Sequence, residues 1–350
     1  MIALDAMGGD FAPKVAVEGA VKAARLGIAV GLFGDQTVIE SMLIGIDAQW
    51  RSLPISVFHC SQVIGMADEP SRSVLKKTDA SLVRAMQAVV DGDATAVVSA
   101  GNSGAALVAG TLILERVEGV LRPAIGNFLP TNKGSVFCLD LGANTDCKAD
   151  YLEQFALMGH VYVQQINNIK NPRIGLVSNG VEPYKGSLAV KQAYARFERL
   201  PINFIGNVEA RDIFDDHADV LVCDGFVGNV MLKTVQGTAR SLMTWIQQES
   251  AKSYWRQLAL YCASPIFKTI KQRIDYANKG GALLLGVKHP LVVAHGCSTA
   301  LAIERALIFA HDVVAQQRVV NFNAALMELI QRPAEAEFYS AQLSENHNHV

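Results

Sequence analysis

This sequence predicts an α/β fold: a mostly parallel sheet with helices on both faces, and a helical hairpin projecting from it. Three features carry the prediction. Short apolar runs alternate with helix-length stretches from the first residue onward, the pattern of successive βαβ units. Polar, Gly-rich clusters follow many of the runs, where a strand would turn into a helix. One segment, 226–277, breaks the rhythm and reads as helix with little strand character.

The elements follow in order. A strand is expected at 2–4, ended by DAMGGD (5–10); Pro13 suits the start of a helix over 15–26. Strands are expected at 28–33 and 55–59, and a helix at 79–90. The stretch 95–115 is pivotal. Its apolar run 96–98 suits a buried strand, SAGNSG (99–104) makes a turn, and an Ala-rich helix follows. The first N–H groups of such a helix lack internal partners, and the helix dipole there favours an anion. An ordinary turn capped by Asn or Ser is the alternative.

A strand at 135–139 ends in LDLGAN, and a helix covers 151–169. The strand at 173–178 runs into the loop SNGVEPYKGS, followed by a helix at 187–200. Strands at 202–205 and 219–223 come next, the second opening a long helix through CDGFVGN. A strand at 291–294 leads through AHGCS to a helix ending at 309, and 321–332 is the last helix. No linker interrupts the chain, so one domain is expected over 1–335, with the hairpin at about 236–277 and a flexible tail over 336–350.

Within the hairpin, Tyr254, Trp255, Leu258 and Tyr261 share one helical face, and Ile266, Phe267, Ile270 and Ile274 another. Pro265 is expected to separate two helices. A partner subunit covering these faces and a membrane surface touching them are both open readings, and they are compatible.

Composition closes several classes. Of 350 residues half are hydrophobic, and 31 basic residues face 33 acidic ones, so no basic tract points to nucleic acid. The six cysteines are scattered without a CxxC pair, which suits reduced thiols in a cytoplasmic protein and packing roles. The opening MIALDAMGGD lacks a basic n-region, so no signal peptide is expected, and no apolar run reaches the roughly 18 residues of a membrane span. GxGxxG, Walker, HExxH and GxSxG motifs are absent, and the eight histidines show no ligand spacing. No metal and no cofactor are therefore expected. In open parallel sheets ligands bind beyond the carboxyl ends of the strands, so the polar clusters are expected around one shared site for an anion.

Six motifs stand in one order: DAMGGD (5–10), SAGNSGA (99–105), LDLGAN (139–144), DGFVGN (224–229), LLLGV (283–287) and AHGCS (294–298). Together they resemble the bacterial phosphate acyltransferase family (PlsX) of fatty acid and phospholipid synthesis, over nearly the whole chain. The resemblance implies transfer of a long acyl chain from acyl carrier protein to inorganic phosphate. The acyl phosphate then feeds a membrane glycerol-3-phosphate acyltransferase (PlsY-type). It also implies a fold like phosphate acetyltransferase and the isocitrate dehydrogenase-like group, a homodimer, and a cytoplasmic enzyme held peripherally at the inner face of the membrane. The chain departs from the family pattern at Phe11, Ser103, Pro183, Lys288, His289 and Cys297.

For that chemistry, phosphate attacks the thioester directly and needs no protein nucleophile. Asn102, Ser103 and Lys185 are expected to hold it, within a binding set of Asp5, Gly8, Gly9, Asp10, Ser99, Gly101, Gly104 and Asn144. Asn229, or N–H groups around Gly225 and Gly228, would face the oxyanion. Lys185 or His295 would serve the leaving thiolate. Asp5, Asp10 and Asp224 read either as caps and turn formers or, for Asp10 and Asp224, as groups orienting Lys185. Arg72, Lys76 and Lys77 form a basic stretch that an acidic carrier protein could meet, or a solvated face. The competing functions are a phosphate acetyltransferase using acetyl-CoA, an NAD-dependent dehydrogenase of the isocitrate-like fold, and a membrane scaffold.

Overall fold

The computed structural model describes residues 1–276 and 280–331, with the backbone alone for 271–276. The expected tail, and the contributions of Ile274 and Arg332, lie outside what is described. Eleven strands form one sheet: β1 (Ile2–Asp5), β2 (Val30–Gly34), β3 (Ile55–His59), β4 (Ala96–Ser99), β5 (Ala124–Pro130), β6 (Ser135–Leu139), β7 (Arg173–Ser178), β8 (Asn203–Glu209), β9 (Val220–Val222), β10 (Ala282–Leu285) and β11 (Leu291–Val293). Their order is β3-β2-β1-β4-β11-β10-β5-β6-β9-β7-β8. The central strands are buried along their whole length because helices cover both faces, which is why they read as unbroken apolar runs.

Alternation along each strand feeds two cores. Ile2, Leu4 and Val98 face one, with α1 (Lys14–Arg25), α2 (Gln36–Ile46), α6 (Ala149–Asn167), α7 (Leu188–Phe197), α10 (Ala300–Ala315) and α11 (Arg318–Gln331). Ala3 and Val97 face the other, with α4 (Ser81–Val90), α5 (Ser103–Leu112) and the start of α8 (Gly225–Ala251).

The sheet is not one parallel row. Strands β3, β2, β1, β4 and β11 run together, and so do β6, β9, β7 and β8. Between the two sets, β11 meets β10, β10 meets β5 and β5 meets β6, each time antiparallel. Three reversals leave the two sets pointing in opposite directions. The carboxyl ends of β1, β4 and β11 therefore lie on one rim, and those of β6, β7 and β9 on the opposite rim. This corrects the expectation of one shared row of loops. The cause is two strands the periodicity did not reveal, β5 and β10. Each joins its sequence neighbour through a connection far too short for the dozen or more residues of a parallel crossover, so each must turn back. Helices α2 and α3 (Pro70–Lys76) were likewise not expected.

The projecting hairpin is present but breaks elsewhere. α8 ends at Ala251, and α9 (Tyr254–Tyr276) runs straight through Pro265. The reversal falls at Lys252–Ser253, where the Ser253 hydroxyl accepts from the Arg256 N–H at 3.3 Å and caps the new helix. Proline removes one N–H and crowds one carbonyl, which kinks a helix without having to end it.

Candidate active site

On the first rim, Asp5 closes β1 with its carboxylate buried. It accepts from Ser81 Oγ at 2.6 Å, Ser99 Oγ at 2.7 Å and the N–H groups of Met7 and Gly8. Burial raises its pKa above the usual carboxylate value, and these donors work against the rise. The loops after β1, β4 and β11 then interlock. Asp10 donates its N–H to the Gly296 carbonyl at 2.8 Å, and Ala294 to the Ser99 carbonyl at 2.8 Å. A side chain at Gly8 would stand 2.4 Å from Asp5 Oδ2, so only glycine fits this crossing. The structure thus brings together Asp5, Gly8, Gly9, Asp10, Ser99, Gly101 and His295.

Two helices start from this rim. Asn102 caps α5 by accepting from the Ala105 N–H at 3.1 Å, while its amide donates to the carbonyls of Met66 at 3.2 Å and Asp68 at 3.1 Å. Its side chain is thereby engaged within the protein, and Pro70 lies against Gly104. Ser103 is exposed as the first residue of α5. Thr299 caps α10 by accepting from the Ala302 N–H at 3.3 Å. The open space on this rim lies at α10: a cleft of ≈ 590 Å³ between its first turn and α8. Gln236, Arg240, Met243, His295, Ser298 and Thr299 are among its walls, and no carboxylate is among the described residues that line it. Gln236 Nε2 and His295 Nε2 stand 3.5 Å apart. The His295 pKa is lowered, first by desolvation in the cleft and then by the nearby Lys233 charge, so the imidazole is neutral at neutral pH.

The second rim is differently built. The Asp140 carboxylate is fully buried and accepts from the N–H groups of Ile125 at 3.1 Å, Gly142 at 3.2 Å, Ala143 at 3.0 Å and Asn144 at 2.7 Å, and from Asn144 Nδ2 at 2.8 Å. Burial raises its pKa and the donors oppose the shift. Asn144 Nδ2 also donates to the Pro123 carbonyl at 2.8 Å, so this amide is spent on Asp140 and on the segment leading into β5. The Gly225 N–H donates to the Asn144 carbonyl at 2.7 Å and the Gly228 N–H to the Asp224 carbonyl at 2.9 Å. Neither is available to an oxyanion. Asp224 caps α8 through the Val227 N–H at 2.8 Å. Lys185 stands on this rim too, in the loop after β7, its Nζ 5.7 Å from the Tyr184 ring centre. Asn229 lies against Gly142, on the stripe of α8 that leads toward the cleft.

Among the residues of interest, Asp140, Lys233, Gln236 and Arg240 were not singled out from the sequence. The signal for the last three was present: counted from Asn229 they fall at i+4, i+7 and i+11 of one helix face. Lys77 is engaged with Asp68 at 2.6 Å, leaving Arg72 and Lys76 as the exposed cations of α3. Lys288, one of the positions that depart from the family pattern, pairs with Glu115 and ties two turns together.

Comparison with known proteins agrees with this architecture. The profile of the family described as "Fatty acid synthesis protein" matches residues 1–321. The phosphate acyltransferase of Citrifermentans bemidjiense is 45% identical over 312 residues, 89% of this chain and 88% of its own. That of Geobacillus thermodenitrificans is 43% identical over 329 residues, 93% of this chain and 98% of its own. Among solved structures, a branched-chain phosphotransacylase from Enterococcus faecalis covers 90% of this chain and 99% of its own, with TM-score 0.54 and 17% identity. A phosphotransacetylase from Streptococcus pyogenes covers 90% and 94%, with TM-score 0.53 and 15% identity. These two share the fold. At this level of identity over this much of its length, the chain belongs to the fatty acid synthesis protein family, that of the phosphate acyltransferases.

Proposed function

We propose that this protein transfers an acyl chain from acyl carrier protein to inorganic phosphate in the first-rim cleft, giving an acyl phosphate for phospholipid synthesis. Membership of the family supports the reaction class. The observation that carries the site is a cleft with no carboxylate among its described lining residues, with a neutral histidine on its wall and a helix start beside it. Hydrogen phosphate attacks the thioester carbonyl carbon, the new C–O bond forms, and the C–S bond breaks. The proton of the hydrogen phosphate ends on the departing sulfur. Neutral His295 is suited to carry it, as base toward the phosphate and then as acid toward the thiolate. The N–H groups of Ala300 and Leu301, which have no acceptor among the described residues, suit the charge on the anion.

The carrier protein is acidic, and the exposed Arg72 and Lys76 of α3, either side of exposed Leu75, fit it. No described helix is long and apolar enough to cross a membrane. The α8–α9 hairpin instead exposes Trp245, Tyr254, Trp255 and Tyr261, suited to a second copy of the chain and to peripheral contact with the inner face of the cytoplasmic membrane, where a glycerol-3-phosphate acyltransferase would take the product.

The deciding experiment supplies palmitoyl carrier protein and labelled phosphate. Labelled acyl phosphate should form in step with free carrier thiol. Its absence, or turnover of acetyl-CoA in place of the carrier, overturns this reading. Sedimentation with anionic vesicles tests the membrane contact: Trp255→Asp with Ile266→Asp should leave the protein in the supernatant.

A further inference from the structure

The first-rim cleft carries cations that no carboxylate among the described residues neutralises. Arg240 lines it, and Lys233 stands two helical turns earlier on the same face of α8. Both side chains are exposed, and neither is in an ion pair among the described residues. Their Cα atoms are about 10 Å apart by the helix rise. Gln236 lies between them and meets His295 at 3.5 Å. Lys233 is close enough to bear on His295 electrostatically. Across the cleft stands the first turn of α10, the positive end of its dipole. A cleft with cations along α8, a helix N-terminus opposite and no carboxylate among its described lining residues concentrates anions. Lys185, the cation expected from the sequence, follows β7 on the other rim and is not among the residues lining this cleft.

We propose that Lys233 and Arg240 are the anion-binding cations of this cleft. Lys233, nearer His295, is a point charge beside the reacting oxygen. Arg240, two turns on, offers a planar fork to the remaining phosphate oxygens. The assignment rests on the cleft being where phosphate is used, but it is read without turnover.

The test is titration calorimetry of inorganic phosphate onto the full chain. Wild type should bind phosphate. Lys233→Met and Arg240→Met should each weaken binding about tenfold or more, the loss of a charge-assisted donor, with melting temperature unchanged. Lys233→Arg should recover most of the affinity, and Lys191→Met, an exposed lysine on α7, should bind like wild type. Wild type that binds no phosphate, or Lys233→Met and Arg240→Met that both bind it normally, overturns the assignment. Phosphate binding that behaves as expected in a wild type making no acyl phosphate leaves the cations assigned and removes the acyl-transfer reading.

Discussion

The two rims begin from the same device and end differently. Each has a buried aspartate at a strand end, a glycine two or three residues on, and a helix starting from a neighbouring strand. On the second rim the device closes on itself. Asp140 gathers the N–H groups of its own loop, Asn144 bridges to a neighbouring strand, and Gly228 lets α8 press onto the Asp140 carbonyl. On the first rim Asp5 takes two rotatable hydroxyls beside the N–H groups of Met7 and Gly8, and the α10 start keeps two N–H groups without an acceptor among the described residues. One arrangement is a lock and the other leaves donors free. A short Asp-and-Gly motif therefore does not say which it makes; that depends on whether neighbouring loops consume its donors.

The largest expected effect tests the lock. Gly228→Ala would place a methyl group 1.9 Å from the Asp140 carbonyl oxygen, both of them backbone-anchored. Overpacking of this kind should cost about 3 kcal/mol, seen in chemical denaturation or as loss of soluble protein. A variant as stable as wild type would break the comparison.

Next come the two aspartates side by side. Asp140→Asn strands fixed backbone donors in a buried place and should cost about 2–4 kcal/mol. Asp5→Asn should cost less, because Asp5 holds two fixed backbone donors, Met7 and Gly8, against four at Asp140, and the Ser81 and Ser99 hydroxyls can turn to other acceptors. Equal losses in a denaturation series would show that the rims do not differ in the way described.

Activity should separate them further. His295→Asn should lower acyl-phosphate formation about a hundredfold with little change in melting temperature. Asn144→Ala should lower stability and activity together. If His295→Asn keeps full activity, the first-rim cleft is not where the proton moves.

The smallest effect concerns pH. His160 is buried on α6, and desolvation holds its pKa below the ordinary value of 6.5. Its folded state favours the neutral ring, so its contribution to stability is complete above about pH 6.5 and is lost as pH falls through the lowered folded value. Melting temperature should therefore fall on acidification more in wild type than in His160→Leu. Parallel curves would remove this histidine from the pH response.

Local periodicity determined most elements of this protein. Apolar runs flanked by Gly-rich turns and helical stripes located nine of the eleven strands, because a strand buried on both faces cannot be anything but apolar. It also located the loops that crowd the strand ends. What it did not determine was direction. β5 and β10 lie in Gly-rich surroundings and are each joined to the next strand by only a few residues, and they reverse the sheet. Only that reversal sent Lys185 to one rim and His295 to the other. Nor could spacing say that Asn102, Asn144 and Asp224 would spend their polar atoms on helix caps and neighbouring loops, since satisfaction of a buried donor is decided by what packs against it. Lys233 and Arg240 became visible once α8 crossed the sheet to the cleft. The chain's own pattern set the parts, and long-range pairing chose which of them meet.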